Sequence, residues 1–335
     1  MTGRERIEAA FSGEGARDLP AVIPYESVFL RDQWSRLTGQ PWWYLYSPQA
    51  DHHVRWTRDF VRAVGQDWLQ MFPWAVWDED EGAAIEVHPD GVYRIDRASG
   101  RRTVIDAPRV SGWTGEDVES VRPDRLPESI EEIDAVIRPL AEGETAAAAV
   151  DCRRRIAAAV IEAFGGSFWP YRHVSSPLWK TYDIWGFEGM MTMIATRPAL
   201  VRHACERYLA IASCVVREAA DHGAAGIWIE DCLTDLISPE SFANLNVPYL
   251  RSLIEQIRSA GMKSIYYFCG NPAGKWDLVL ALGMDALGLE ESKKNFRIDV
   301  EQTVERVAGR CVVLGNLDAI RVLQNGSEEM LRAEI

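Results

Sequence analysis

The feature that most constrains the fold is a strand–helix–strand pattern in the second half of the chain. Residues 226–230 form a short apolar run that predicts a strand buried on both faces, and Lys263–Phe268 is a second such run. Between them, Ser238 and Pro239 predict the start of a helix, and Gly261 predicts its end. Because a unit of this kind forms a parallel pair, we expect the carboxyl ends of both strands on the same side.

Other apolar runs bring the number of predicted strands to seven. They are residues 19–24, 67–72, 167–174, 285–289 and 311–314. Strands that alternate with helices predict an α/β protein, either a (βα)8 TIM-like barrel or a doubly wound sheet. No glycine-rich phosphate loop follows the first predicted strand, which favours the barrel, as one domain over residues 1–335.

Two parts of the chain are expected to depart from the regular repeat. Residues 84–113 alternate polar and apolar side chains around two turns, which predicts a β-hairpin insertion after the second strand. A helix is predicted to begin near Ser327, and the chain stops at Ile335 within it, so we expect the eighth strand to be missing. Either the C-terminus is truncated, which we favour, or the barrel is open at one seam. Residues 175–185, after the third predicted strand, are expected to form a loop.

Composition narrows the kinds of partner. The 335-residue chain has a net charge of −14 and no basic run, which argues against nucleic acid and anionic membranes as partners. It contains no apolar stretch of about 18 residues and no recognisable secretion signal, so we expect a cytoplasmic protein. The six cysteines include no CxxC pair, as expected of reduced thiols.

Carboxylate side chains lie at the carboxyl ends of two predicted strands. Glu230 and Asp231 end the run at 226–230, and Glu290 follows the run at 285–289. Adjacent carboxylates at a buried strand end repel each other and raise the pKa of one of them, so we predict catalytic roles for all three. The alternatives are that Asp231 caps a helix or pins the next loop, and that Glu290 belongs to an exposed loop of ion pairs.

Few other residues indicate chemistry. His173 is the one histidine at a predicted strand end, which makes it the candidate acid–base histidine. The motifs GxSxG, HExxH and the P-loop do not occur, so a serine hydrolase, a zincin or an NTPase has no support. Tryptophans gather between residues 34 and 77 and between 169 and 185, a pattern that suggests an aromatic-walled pocket.

Four segments of the chain resemble the uroporphyrinogen decarboxylase superfamily. They read MTGRERIEAAFSGEGARDLPAVIP at the amino terminus and, further on, GIWIEDCLTDLISPESF, YYFCGN and VVLGNLD. The resemblance covers nearly the whole chain and implies a barrel whose active site lies at the carboxyl ends of its strands. That superfamily contains the haem-pathway decarboxylase and zinc-dependent methyltransferases that move methyl groups between corrinoid proteins and acceptors, so membership alone does not choose the reaction.

The resemblance also implies a metal site. In the methyltransferase branch the segment that matches YYFCGN reads His-x-Cys, and both residues bind zinc, together with a later cysteine. Here Tyr267 takes the histidine position, Cys269 keeps the cysteine position, and the later segment is absent. This implies a weakly held zinc with Cys269 and Glu230 as ligands, about 4–5 Å apart, and Tyr267 as an acid–base group. The alternative is that Cys269 is a small buried apolar residue at a turn.

The remaining predicted site residues would bind substrate. Asn316 and Asp318 match the superfamily's Gly-Asn-x-Asp pattern, although asparagine in such a turn often bonds its own backbone. The others are Tyr25, Trp74, Trp179 and Asn271.

Three functional interpretations remain open. We favour a methyltransferase-like enzyme that moves a methyl group between a corrinoid or a methoxylated small molecule and an acceptor, with a small corrinoid protein as its partner. The second is uroporphyrinogen decarboxylase itself, but its RQAGRYLPE segment reads IPYESVFLRDQWSRL here, with only Arg31 and Arg36 left to bind substrate carboxylates. The third is a non-catalytic barrel that binds a small ligand.

Overall fold

The structure, a computed structural model, describes residues 1–13, 18–72, 83–96, 99–107, 123–138, 147–292 and 296–335. The chain divides into two compact units. The first contains Met1–Glu119, Leu140–Arg172 and Asp221–Ala224, and the second contains Ser120–Pro139, His173–Ala220 and Ala225–Ile335. The prediction of one domain over the whole chain stays a prediction.

The described residues form nine strands and thirteen α-helices. The strands are β1 (Trp68–Gln70), β2 (Ala83–His88), β3 (Gly91–Asp96), β4 (Arg102–Ile105), β5 (Trp169–Ser175), β6 (Gly226–Asp231), β7 (Lys263–Phe268), β8 (Ala286–Leu289) and β9 (Val312–Leu314). The helices are α1 (Gly3–Phe11), α2 (Glu26–Leu37), α3 (Ala50–Val64), α4 (Ile130–Val136), α5 (Ala147–Phe164), α6 (Pro177–Lys180), α7 (Tyr182–Thr196), α8 (Pro198–Asp221), α9 (Pro239–Leu245), α10 (Val247–Ser259), α11 (Trp276–Leu280), α12 (Val300–Val307) and α13 (Glu328–Glu334), with short non-α helical turns at Trp42–Tyr46 and Ala319–Gln324. Within the described ranges, none of the helices combines the length and the apolar character that crossing a membrane requires.

In the first unit, β1 pairs in parallel with the beginning of β5, with Trp68 opposite Trp169. Helices α2, α3 and α5 contribute Leu30, Phe60 and Phe164 to one buried apolar cluster beside β1. Most of the described tryptophans are likewise core residues: Trp34, Trp56, Trp68, Trp169, Trp185 and Trp228 are all buried. The abundance of tryptophan therefore reflects packing of the interior at these positions.

The first predicted strand, residues 19–24, does not form. Side chains hold this segment instead: the Ala21 N–H donates to the Asp67 carboxylate at 2.7 Å, and the Ile23 N–H donates to Gln66 Oε1 at 3.2 Å. Two prolines in the segment have no N–H with which to build a ladder. The prolines and the two side-chain hydrogen bonds leave few backbone donors for a ladder, and residues 19–24 form no strand.

Antiparallel strands occupy the segment for which the hairpin insertion is predicted. β2 pairs with β3, with His88 opposite Gly91, and β3 pairs with β4, with Val92 opposite Ile105. The end of the predicted insertion, residues 108–113, lies outside the described residues. The predicted truncation before an eighth strand stays a prediction.

The second unit contains the predicted parallel repeat. β6 pairs with β7, β7 with β8 and β8 with β9, all in parallel. Across the described strands the sheet order is β1-β5-β6-β7-β8-β9, which follows the chain without a reversal among these strands. A doubly wound sheet needs such a reversal, whereas a barrel adds its strands in chain order. The α/β prediction is therefore confirmed, and the strand order favours the barrel over its alternative.

The helix predicted between residues 238 and 261 is two helices. It begins as expected at Ser238, whose side chain accepts the Ser241 N–H, but it breaks at Asn246 between α9 and α10. Pro248 lacks the N–H that a continuous helix would use, and the side-chain Nδ2 of Asn246 donates to the Asp231 carboxylate at 2.7 Å. The break is thus the point at which the helix layer is bonded to the end of β6.

Residues 175–185, predicted to be a loop, are mostly helical. Ser176 accepts the Trp179 N–H and caps α6, and Pro177 takes the first helical position, where a missing N–H costs nothing. A kink at Gly186, with φ of 62°, then lets the chain turn within α7. The Ser-Ser-Pro sequence is therefore a helix start signal rather than a loop signal.

Glu26 is a buried carboxyl group in the first unit and produces a testable pH dependence. It has no exposed surface, and it accepts hydrogen bonds from Gln66 Nε2 at 2.6 Å and from the Gln70 N–H at 3.1 Å. Burial raises the pKa of Glu26 from 4.5 to about 8, and the two hydrogen bonds offset this only in part. The folded protein keeps a proton that the unfolded chain releases above about pH 4.5, so stability falls as pH rises from there to about 8.

We expect Glu26→Gln to remove this loss, because the amide oxygen can accept the same hydrogen bonds without ionising. Its free energy of unfolding should exceed that of the wild type by on the order of 3 kcal/mol at about pH 7, and the two should converge near pH 4.5. Urea unfolding over this pH range measures the difference. Glu8→Gln, in an exposed pair with Arg4, is the control and should not change the pH profile. Parallel profiles for Glu26→Gln and the wild type would contradict the prediction.

Candidate active site

Strand alternation sorts the predicted residues of the second unit onto two faces of the sheet. Successive side chains of a strand point to opposite faces, and partners in a parallel register share a face. Glu230 lies opposite Tyr267 and shares its face, whereas Asp231 lies opposite Phe268 and points to the other. Helix α9 covers the face of Asp231, since the rings of Phe242 and Phe268 are 5.9 Å apart. The face of Glu230 therefore carries the candidate chemistry.

Side chains on that face make a continuous series of contacts across the ends of β5, β6, β7 and β8. We call His173, Glu230, Cys232, Cys269 and Glu290 the strand-end cluster. His173 Nε2 lies 2.9 Å from Glu230 Oε2, and Cys232 Sγ lies 3.6 Å from Glu230 Oε1. Cys269 Sγ donates to Glu290 Oε2 at 2.9 Å. A hydrogen bond with Cys269 raises the pKa of the Cys232 thiol, and burial raises it further. The two thiols therefore join the pair His173–Glu230 to Glu290.

The strand-end cluster is open at one end and closed at the other. The side chain of His173 is 30% exposed and that of Glu230 is 16% exposed. Both cysteines are half-buried, and Glu290 is 3% exposed. A small molecule can therefore reach the imidazole and the sulfur atoms, while Glu290 supports them from inside.

Asn316 helps to hold Glu290 in place. Its amide Nδ2 donates to the Glu290 carbonyl oxygen at 3.2 Å and to the Ile298 carbonyl oxygen at 3.4 Å. Asp318, two residues on, accepts the N–H groups of Ile320 and Arg321 and caps the helical turn that follows. Of this predicted pair, Asn316 thus adjoins the strand-end cluster, whereas Asp318 bonds its own turn.

Asp231 organises the opposite face of the sheet. Its buried carboxylate accepts hydrogen bonds from four side chains: Ser176 Oγ at 2.5 Å, Tyr266 OH at 2.6 Å, Asn246 Nδ2 at 2.7 Å and Thr234 Oγ1 at 3.1 Å. Burial raises the pKa of Asp231, and these four hydrogen bonds counteract the rise. Alternation along β6 separates the two carboxylates, so the contacts of Asp231 are those of a residue that pins the next loop, the alternative noted above.

Tyr267 forms the floor below the strand-end cluster. Its ring stacks on Trp228 with centroids 5.1 Å apart, and the residue is 8% exposed. Gly288 lies opposite it on β8, and a Cβ there would lie 3.2 Å from the Tyr267 ring and crowd it. The acid–base role of Tyr267 stays a prediction.

The other predicted substrate-binding residues are not gathered at the strand-end cluster. Asn271 accepts the Ala273 N–H at 3.0 Å and so shapes its own loop. Trp179 stacks on Tyr182 with ring centroids 4.8 Å apart. Tyr25 belongs to the first unit, at the start of α2, and Trp74 lies outside the described residues.

As placed, the described side chains do not fit the implied zinc. A catalytic zinc needs at least three protein ligands. Among the described residues, no three His, Cys, Asp or Glu side chains converge closely enough to hold one ion. The predicted ligands Glu230 and Cys269 are instead bridged by Cys232, which contacts both. The weak zinc site stays a prediction.

Sequence reasoning missed Cys232 and Asn246. Cys232 comes two residues after Glu230, and this spacing at a strand end was the signal that both would share a face. For Asn246 the signal was the proline two residues later, which marks a break in the helix. Nothing in the nearby sequence indicates that the side-chain amide of Asn246 would reach Asp231.

The parallel sheet adds its strands in chain order and carries imidazole, thiol and carboxylate groups at their carboxyl ends, which is consistent with a TIM-like barrel. The uroporphyrinogen decarboxylase (URO-D) family model matches residues 172–335. The fold is similar to that of a methyltransferase from Methanosarcina mazei, with a TM-score of 0.67 and 16% identity over 100% of this chain and 88% of that one. The match to the family model and the relatives described next support membership of the uroporphyrinogen decarboxylase superfamily.

Curated relatives come from both branches of the superfamily. The methylcobamide:CoM methyltransferase MtbA of Methanosarcina mazei is 23% identical over 174 residues, which cover 52% of this chain and 47% of that protein. The uroporphyrinogen decarboxylase of Solibacter usitatus is 30% identical over 98 residues, 29% of this chain and 27% of that protein. The chain thus spans about half the length, or less, of these relatives.

Proposed function

We propose that the protein is a methyltransferase-like enzyme that transfers a methyl group between a corrinoid or a methoxylated small molecule and an acceptor. The observation that carries the proposal is the contact of 2.9 Å between His173 and Glu230 at the open end of the strand-end cluster. An acceptor such as a thiol or a hydroxyl loses a proton as it gains a methyl group, so its enzyme needs a base at this point. Similarity to a methylcobamide:CoM methyltransferase supports the same reaction class.

His173 is the general base of this proposal, and Glu230 orients it. A carboxylate bonded to one ring nitrogen holds the imidazole in place and stabilises the imidazolium formed when the ring takes a proton. The imidazole has enough exposed surface for an acceptor to approach, whereas Glu230 lies deeper. The proton of the acceptor therefore passes to His173, and the charge that results is held next to Glu230.

The rest of the strand-end cluster suits a methyl group better than a polyanion. The sulfur atoms of Cys232 and Cys269 are soft and polarizable, and the stacked rings of Trp228 and Tyr267 close the site from below. Glu290, nearly without exposed surface, adds a second carboxylate. Such a site receives an apolar group readily and repels clustered negative charge.

Assays of methyl transfer test the proposal. Purified protein is mixed with methylcobalamin and a thiol acceptor, and in a second series with cob(I)alamin and a methoxylated aromatic compound. We expect protein-dependent turnover in one series, followed by the change in corrin absorbance and by mass spectrometry of the methylated product. Turnover in neither series would contradict the proposal, and quenching of tryptophan fluorescence by cobalamin would then favour the non-catalytic binding barrel.

We expect no conversion of uroporphyrinogen to coproporphyrinogen. The substrate of that reaction carries many carboxylates, and the strand-end cluster presents Glu230 and Glu290 in a chain with a net charge of −14. Of the arginines left in the altered segment, Arg31 is paired with Asp32 at 2.6 Å. Chromatography of the porphyrins after incubation, with an active decarboxylase as the positive control, measures the reaction. Coproporphyrinogen formed above the level without protein would show that the prediction is wrong.

A further inference from the structure

Cys232 and Cys269 occupy neighbouring positions just beyond two paired strands. Asp231 lies opposite Phe268 in the register of β6 and β7, and the Cys269 N–H donates to the Asp231 carbonyl oxygen at 3.0 Å. The two cysteines are therefore the next pair across these strands. Neighbouring strands lie about 4.8 Å apart, within the range of about 4.4–6.8 Å between the Cα atoms of disulfides. Partners in a parallel register share a face, and the interaction with Cys269 raises the pKa of the Cys232 thiol.

Both thiols are also placed for reaction with a small molecule. Each is half-buried, whereas Cys152 and Cys205 are buried. A carboxylate flanks each sulfur: Glu290 accepts the Cys269 S–H at 2.9 Å, and Glu230 lies 3.6 Å from Cys232. Glu290 can take the proton of Cys269 as its sulfur reacts, since the thiolate is the reactive species in exchange with disulfides.

We propose that Cys232 and Cys269 form a dithiol site that low-molecular-weight disulfides oxidise reversibly to a disulfide bond. The site takes disulfides of the glutathione type as its reaction partners. This is a modification site at the strand ends, and its formation does not depend on which group the protein transfers.

The chemistry is two successive thiol–disulfide exchanges. Cys269 Sγ attacks one sulfur of the oxidant as its proton passes to Glu290, which gives a mixed disulfide and releases one thiolate that takes up a proton. Cys232 Sγ then attacks Cys269 Sγ, loses its own proton, and displaces the second thiol. The protein loses two electrons and two protons, and the oxidant gains both as its S–S bond becomes two S–H bonds.

Oxidation would also act on the proposed methyl transfer. The disulfide withdraws Cys269 from Glu290 and joins the sulfur atoms beside His173, so turnover should fall and return after reduction. This consequence rests on the proposed function. The disulfide itself is detected without any activity measurement, so protein that forms the disulfide without methyl transfer would contradict the proposed function and leave the dithiol site standing.

Peptide mapping of the full chain tests the site. Reduced protein is treated with glutathione disulfide, free thiols are blocked with iodoacetamide, and the digest is analysed by mass spectrometry. We expect two of the six thiols to escape alkylation and one cross-linked peptide to join Cys232 to Cys269, both reversed by dithiothreitol. Alkylation of all six thiols, separate glutathione adducts without the cross-link, or a cross-link between other cysteines would overturn the proposal.

Matched variants and a second reagent complete the test. Cys232→Ser and Cys269→Ser should each abolish the cross-linked peptide, whereas Cys311→Ser, at another half-buried cysteine of the same unit, should keep it. Phenylarsine oxide binds two neighbouring thiols at once, so it should bind the wild type and Cys311→Ser with one equivalent. Phenylarsine oxide should bind Cys232→Ser and Cys269→Ser at least ~100-fold more weakly. Equal binding to all four proteins would also overturn the proposal, and the wild-type measurement does not depend on how the variants fold.

Discussion

His173→Gln is expected to lower kcat for methyl transfer by about 10²–10⁴-fold with little change in KM, the loss typical of a removed general base. Glutamine can still donate a hydrogen bond to Glu230, which lies 2.9 Å from the imidazole Nε2, but it cannot take a proton from the acceptor. Steady-state kinetics with methylcobalamin and a thiol acceptor measure the effect. The loss should appear in kcat because the imidazole acts in the transition state rather than in binding.

Two further variants separate this role from a structural one. His203→Gln is a matched control, because His203 is also partly exposed in the second unit and lies 2.8 Å from a carboxylate, that of Asp134. It should keep kcat close to the wild-type value. Glu230→Gln should lower kcat as well, and the double variant with His173→Gln should lose little more, since the two residues act as one unit. An unchanged kcat in His173→Gln, or an equal loss in His203→Gln, would remove the general base from the proposal.

Asp231→Ala is expected to lower the free energy of unfolding by about 3–5 kcal/mol. The reason is that the buried carboxylate is the shared acceptor of four side chains, and removing it leaves their donors without a partner inside the protein. These donors come from α9–α10, from β7, and from the chain that follows β5 and β6, so the change loosens several elements at once. Urea unfolding followed by circular dichroism measures the loss.

Milder variants keep this prediction measurable if Asp231→Ala does not fold. Tyr266→Phe removes one donor and should lower the free energy of unfolding by about 1–2 kcal/mol. The loss in Asp231→Asn should lie between those of Tyr266→Phe and Asp231→Ala. Asp183→Ala is the control, because Asp183 forms an exposed ion pair with Lys180 and should change stability by less than about 1 kcal/mol. A wild-type unfolding midpoint for Asp231→Ala would contradict the structural role.

Local patterns in the sequence were sufficient for the strands of the second unit and for several site residues. The apolar runs that predict β6, β7, β8 and β9 agree with the structure to within one or two residues, because strands buried on both faces need continuous apolar side chains. Glu230, Glu290, His173 and Cys269 could be placed at strand ends for the same reason. Parallel strands bring their carboxyl ends together whatever the details of packing, so these residues were expected on one side of the sheet.

The missing first strand shows where local patterns fail. Residues 19–24 have the apolar composition of a strand, but the N–H groups of Ala21 and Ile23 donate to side chains more than 40 positions away. The acceptors are Asp67 and Gln66. Whether these N–H groups bond to side chains or to a neighbouring strand depends on residues that are distant in the sequence. Composition and periodicity do not contain that information.

Apolar runs and strand-end residues were thus enough to predict the α/β class, the order of the parallel strands in the second unit, and the strand ends at which the polar side chains lie. The neighbours of each functional side chain became known from the three-dimensional structure: Glu230 contacts His173 and Cys232, Asp231 receives four donors on the opposite face, and Cys269 contacts Glu290 and Cys232. The physical reason is that these contacts join different strands and helices. They depend on register and on the direction of each side chain, which are set when the whole core packs rather than by any one segment.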